Sequence, residues 1–242
     1  MDKAFFRMEC NRFEQIAKQY GSLCQERFAE LLKEVVTFKF GVGGECMHRG
    51  FYCPSLISDI VLGNINRGRV YNMSPKLFSP SYIYGFSGEN KLLTVQNIDN
   101  TKQNEFIMQQ DEMELGITFS DRWGIETLSQ CQYSQEKIQS YSFCSYSELT
   151  ALVYELNTEI YDYDKDRLIV HWYQYMPAQR KPNRVSEVLY HNVINFSVEN
   201  NILKSYTIET YVNGLRAPQS NPNRIYDVRL KRKITKQKTG ST

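Results

Sequence analysis

The chain has 242 residues, 41% hydrophobic and 23% charged, with a formal net charge of +2. That length supports one large domain, or a domain with a helical cap. The net charge hides an asymmetry. Residues 231–242 hold five Lys/Arg and no acid, so the remainder carries 24 basic and 27 acidic side chains. A near-neutral or slightly acidic body with a basic tail argues against a phosphate-binding surface on the fold itself. The N-terminal residues MDKAFFRM lack the apolar run of a secretory signal, and no stretch is apolar enough for a membrane helix. The expected location is the cytoplasm, where the six cysteines are expected to stay reduced.

In chain order, residues 1–40 read as a helical segment. Phe13, Ile16, Ala17, Tyr20, Cys24, Phe28, Leu31, Leu32 and Val35 keep one face apolar at helical spacing between Asn11 and Phe38. Asn11 and Glu14 form a capping-box pattern, and Gly21 kinks or splits the helix. Residues 41–80 read as an irregular connector punctuated by glycine and proline. Within it, short strands are expected at Gly50–Tyr52 and Arg69–Asn72, a short helix at Ser55–Leu62 and a turn at Asn64–Gly68. Nothing in that segment names its role.

Residues 81–230 are dominated by strands and carry a weak internal repeat. Tyr82–Ile98, Leu115–Tyr133, Glu159–Tyr175 and Asn192–Tyr211 each read as an aromatic-rich strand, a polar turn and a second apolar strand. Aligning Phe86, Phe119, Tyr163 and Phe196 gives steps of 33, 44 and 33 residues, so copies one and three, and two and four, are 77 apart. Alternation puts Leu168, Val170 and Trp172 on one face and Ile169, His171, Tyr173 and Tyr175 on the other. One face is expected to be core, the other solvated and tyrosine-rich. Ser147–Thr158 fits either helix or strand, a last strand is expected at Arg224–Leu230, and residues 231–242 read as a disordered basic tail.

The predicted fold is therefore α+β, with an N-terminal helix or helix pair packed on a large curved antiparallel sheet of sequential hairpins, half-barrel-like, in one structural domain.

Catalytic signatures are weak. Gly41-Val42-Gly43-Gly44 lacks both the third glycine of a dinucleotide loop and the Gly-Lys-Ser/Thr of a phosphate loop. Cys46, His48 and Cys53 suit zinc chemically, but their spacing matches no common finger. Asp162, Asp164 and Asp166 fail as a calcium loop, because Arg167 and Tyr173 stand where Gly and Glu are needed. No cofactor or metal is expected. His171 and His191 on neighbouring strands, with Glu209, supply the residues of a metal-free hydrolase or nuclease, which is one alternative. A small-molecule or lipid carrier using the concave sheet face is another.

The segments YGFSGENKLLTVQNI, YDYDKDRLIVHWYQY and YHNVINFSVENNILKSYTIETY resemble the tyrosine- and aspartate-rich YD repeats of Rhs-like proteins. They are also similar to the β-rich immunity proteins of polymorphic toxin and contact-dependent growth inhibition systems. That resemblance spans about residues 81–212 and implies a non-enzymatic inhibitor that binds one cognate toxin, with no catalytic residues to carry over. It implies a one-to-one complex of a monomer with a basic toxin domain, without nucleic acid or membrane. The candidate partner-binding residues are Tyr161, Asp162, Asp164, His171, Tyr173, Tyr175, Glu209 and Tyr211, tyrosines as rigid anchors and acids for steering.

Overall fold

The computed structural model describes residues 1–44, 48–61, 67–77, 79–98, 102–135, 137–164, 166–178 and 186–228. The basic tail and Cys46 lie outside these residues, as do parts of the predicted turn at Asn64–Gly68 and of the predicted last strand.

Two helices open the chain, α1 (Lys3–Tyr20) and α2 (Cys24–Glu34), joined by a 3-10 turn at Gly21–Leu23. The helix begins earlier than Asn11 because Asp2 caps it, its side chain accepting from the Phe5 N–H at 3.0 Å. Gly21 breaks the helix where the sequence suggests.

Fourteen strands among the described residues form a single open antiparallel sheet. They are β1 (Thr37–Val42), β2 (Arg69–Tyr71), β3 (Tyr82–Phe86), β4 (Leu92–Asn97), β5 (Asn104–Gln110), β6 (Met113–Ser120) and β7 (Gly124–Ser134). They continue as β8 (Lys137–Ser147), β9 (Leu152–Tyr163), β10 (Arg167–Met176), β11 (Val188–Glu199), β12 (Ile202–Val212), β13 (Leu215–Arg216) and β14 (Tyr226–Asp227). From β3 to β13 each strand pairs with the next, an unbroken meander, while β1 inserts between β3 and β2 at one edge and β14 adds to β12. The sheet does not close into a barrel. Among the described residues, no helix is long and apolar enough to cross a membrane.

The four repeat segments are the hairpins β3–β4, β6–β7, β9–β10 and β11–β12. The ambiguous Ser147–Thr158 resolves into a turn followed by β9. Gly50–Tyr52 is a 3-10 turn rather than a strand, and the helix after it, α3, spans Leu56–Ile60.

Both faces of the sheet are covered over most of its length, which corrects the expectation of one core face and one solvated face. On the first face α1 and α2 bury Phe6, Cys10, Phe13, Ala17 and Phe28 against Phe106, Ile117, Phe119, Leu128, Leu156 and Tyr175. Phe6 lies 5.3 Å from the Tyr173 ring and 5.7 Å from Tyr175, and Phe28 lies 5.8 Å from Phe119. Glu14, buried in α1, accepts the Val153 N–H at 3.0 Å and so ties the helix to the start of β9. At the other end Arg7 reaches Glu187, which also accepts from the Tyr175 hydroxyl at 2.6 Å.

On the opposite face, residues 48–61 fill what the sequence leaves as a connector without a role. Cys53, Leu56, Ile57 and Ile60 pack on Tyr141, Tyr161, Val170, Ile194 and Phe196. Arg67 holds this segment in shape. Its Nε sits 2.7 Å and 2.8 Å from the two Asp59 carboxylate oxygens, and its Nη1 donates to the Phe51 and Cys53 carbonyls at 2.6 and 2.7 Å. A planar guanidinium can satisfy a carboxylate and several carbonyls at once, as an ammonium cannot.

Candidate functional site

Strand register decides which predicted residues meet. Tyr173 of β10 pairs with His191 of β11, and His191 pairs with Tyr211 of β12. Directly paired residues share a face, so these three rings form one column across three strands. Tyr173 and His191 stack with centroids 4.2 Å apart and 9° between planes, and His191 and Tyr211 follow at 5.8 Å. In the next row His171 lies two residues along β10 from Tyr173, and its Nδ1 is 3.1 Å from His191 Nε2. That contact needs one ring to donate and the other to accept, so the pair cannot hold two imidazolium ions.

Acids flank the column. Asp162 Oδ2 lies 3.4 Å from His171 Nε2. The Tyr211 hydroxyl donates to Glu209 at 2.6 Å, which pushes its own pKa up. Burial, and then repulsion from His171, lowers His191 to about 4, so at neutral pH it is an uncharged ring. Asp164 is exposed at the β9–β10 turn, 3.5 Å from Arg167.

Of the eight residues chosen from sequence, Asp162, His171, Tyr173, Glu209 and Tyr211 therefore converge on one face beside α1, with Asp164 at the adjoining turn. Tyr173 is only 7% exposed and lies under Phe6, so it supports the cluster from within the core. Tyr161 and Tyr175 are part of the fold instead. Tyr161 points to the opposite face, where its hydroxyl donates to Glu159 and accepts the Leu56 N–H at 3.2 Å. Tyr175 is covered by Phe6 of α1. His191 is the residue that joins the cluster, and its place at the centre follows only from the β10–β11–β12 register.

The opposite face holds a second polar cluster. Arg49, in a left-handed backbone conformation, is 1% exposed and pairs through its guanidinium with Glu114. Its backbone N–H donates to Glu105 at 2.5 Å. Further along, Ser55 donates to Glu159 at 2.5 Å. Burial raises both Glu105 and Glu159 to about 7. Among the described residues, no group of three or more His, Cys, Asp or Glu is placed to hold a metal.

The Glu159 shift has a consequence for stability. A carboxyl raised from 4.5 to about 7 on folding stabilises fully below pH 4.5, and that contribution is lost as pH rises through about 7. The loss is of the order of 3 kcal/mol, at about 1.4 kcal/mol per pKa unit. His191 acts with the opposite sign, costing stability as pH falls from 6.5 towards about 4. Glu159→Gln is expected to flatten the decline in unfolding free energy between about pH 5 and about pH 8. Urea titrations across that range check it, and a decline as steep as the wild type's would contradict the assignment.

No protein-family model matches the chain, and neither a curated protein nor a solved structure matches it.

Proposed function

We propose that this chain is a non-enzymatic binding protein, an immunity-type inhibitor that neutralises a cognate protein toxin by docking it on the sheet face beside α1. The observation that carries the reading is the ring column Tyr173–His191–Tyr211, stacked at 4.2 and 5.8 Å on strands backed by helix packing. Rings fixed in this way lose little entropy on binding, which suits them as interface anchors. Asp162 and Glu209 beside them, with Asp164 at the turn, favour a basic partner. Arg167 already offsets part of the Asp164 charge, so Asp162 and Glu209 carry more of the steering.

His171 and His191 are hydrogen-bonded to each other, and Glu209 is engaged by Tyr211, so the polar groups of this face are held in fixed positions.

Charge reversal tests the site. Asp162→Lys with Asp164→Lys is expected to slow association with the toxin domain by about tenfold or more at low salt, and to leave the melting temperature unchanged. Stopped-flow or surface-binding kinetics across salt concentrations read this directly. Equal on-rates for wild type and variant would remove the acids from the interface.

A further inference from the structure

The outer edge of β12 is paired at both ends and open between them. β13 pairs with Tyr211 and Val212, and β14 pairs with Ser205 and Tyr206. Alternate residues of a strand turn their backbone N–H and C=O to the same edge. Thr210 turns both outward: its N–H donates to the Ser220 hydroxyl at 2.9 Å, and its carbonyl accepts from the Ala217 N–H at 2.8 Å. The Lys204 carbonyl, also outward, accepts the Val228 N–H at 2.8 Å. By the same alternation Ile208 faces outward, and among the described residues neither its N–H nor its carbonyl has a partner on that edge. Extending the β13 register would set Gln219 opposite Ile208, and extending the β14 register would set Arg224 there. Turns carry both segments away first, closed by Ser220 N–H to the Ala217 carbonyl at 2.9 Å and by Arg224 N–H to the Asn221 carbonyl at 3.2 Å. The gap is a cavity of about 490 Å³, lined among others by Ile208, Thr210, Gln219, Asn221, Arg224 and Tyr226.

Backbone, charge and size together specify what fits. An unpaired donor and acceptor side by side on a strand edge match a ligand that offers an acceptor and a donor at peptide spacing. The Arg224 guanidinium is held over the Tyr226 ring at 4.8 Å, and Tyr226 stacks on Tyr206 at 5.0 Å with 12° between planes. Stacking leaves the rim of a guanidinium free to bind a carboxylate in its plane. No carboxylate pairs with Arg224 among the described residues, and no Asp or Glu lines the cavity. Between Tyr206 and Thr210 only about 13 Å of edge is open, at about 3.3 Å per residue. That admits the pairing of one residue, not an added strand.

The geometry points to a binding site for a small amide-bearing carboxylate of the acylated amino acid class. Its amide N–H donates to the Ile208 carbonyl, and its carboxylate accepts from the Ile208 N–H and from Arg224. The site stands independently of the toxin-binding reading, since Ile208 and Thr210 alternate with Glu209 and Tyr211 along β12 and so present the opposite face.

Titration of the isotope-labelled full chain with N-acetylalanine, followed by amide NMR, tests it. The expected result is a saturable shift of the Ile208 N–H signal. N-acetylalaninamide keeps the amide without the charge, and acetate keeps the charge without the amide. Each is expected to bind about tenfold more weakly or worse. Arg224→Gln removes an exposed side chain and is expected to weaken N-acetylalanine by about tenfold or more while melting normally. The ligand series on the unaltered chain decides even if that variant fails to fold. Absence of a saturable Ile208 shift at millimolar N-acetylalanine would overturn the site. So would equal binding of either control ligand, or wild-type affinity in a folded Arg224→Gln.

Discussion

Arg49→Ala is expected to destabilise the fold by about 3–5 kcal/mol, the range for breaking a buried ion pair by removing one partner. Arg49 is 1% exposed, and its Nη1 and Nη2 both reach Glu114, at the carboxylate and at the carbonyl. Without it, the Glu114 carboxylate loses its guanidinium counter-ion in largely buried surroundings, although the Tyr133 hydroxyl still donates to it at 3.2 Å. The loss comes mostly from stranding that carboxylate, not from the worth of the pair itself. A paired apolar replacement, Arg49→Met with Glu114→Leu, is therefore expected to recover most of the deficit. Urea unfolding midpoints of the three proteins decide the matter. A single-variant loss below about 1 kcal/mol would show that the pair is solvated and not a buried hub.

Phe6→Ala is expected to cost about 3–5 kcal/mol, the usual range for truncating a buried aromatic residue. Phe6 is fully buried, and its ring meets Phe5, Tyr173 and Tyr175 within 5.3–5.7 Å. The cavity would fall between α1 and β10, under the ring that stacks on His191. Phe6→Ala should thus loosen the Tyr173–His191 column and shorten the lifetime of a complex formed there, as well as lower the melting temperature. Trp123→Ala is the control. Trp123 is 61% exposed at the β6–β7 turn, and its removal is expected to stay within about 0.5 kcal/mol of wild type. Thermal and urea unfolding of the two variants check this, and equal losses would show that α1 is not anchored through Phe6.

The hairpins were legible because two signals agreed. Aromatic and β-branched residues alternate along β10, β11 and β12, and turn-forming residues such as Glu199-Asn200-Asn201 separate the strands. Asn200 and Asn201 do adopt left-handed conformations there. Ser147–Thr158 was ambiguous because Leu, Ala and Glu favour helix, and only pairing with β8 and β10 settles it as strand. The coverage of the second face was not legible. It depends on Arg49 meeting Glu105 and Glu114, 56 and 65 residues away, and on Arg67 wrapping the 51–59 backbone. No local pattern encodes such contacts. The site was partly legible for the same reason. Alternation placed His171 and Tyr173 together, but His191 enters the column through the register between strands, and Tyr161 leaves it because α3 covers the other face.

The most direct test of the proposed toxin-binding role is complex formation between this chain and the C-terminal domain of any large secreted protein encoded beside its gene. The two are co-expressed and resolved by size-exclusion chromatography with mass detection. The account predicts a one-to-one complex that survives Trp123→Ala and is lost or dissociates much faster with His191→Ala plus Tyr211→Ala, both variants remaining folded. A chain that stays alone beside such a domain, or a complex that the His191 and Tyr211 substitutions leave unchanged, would contradict it.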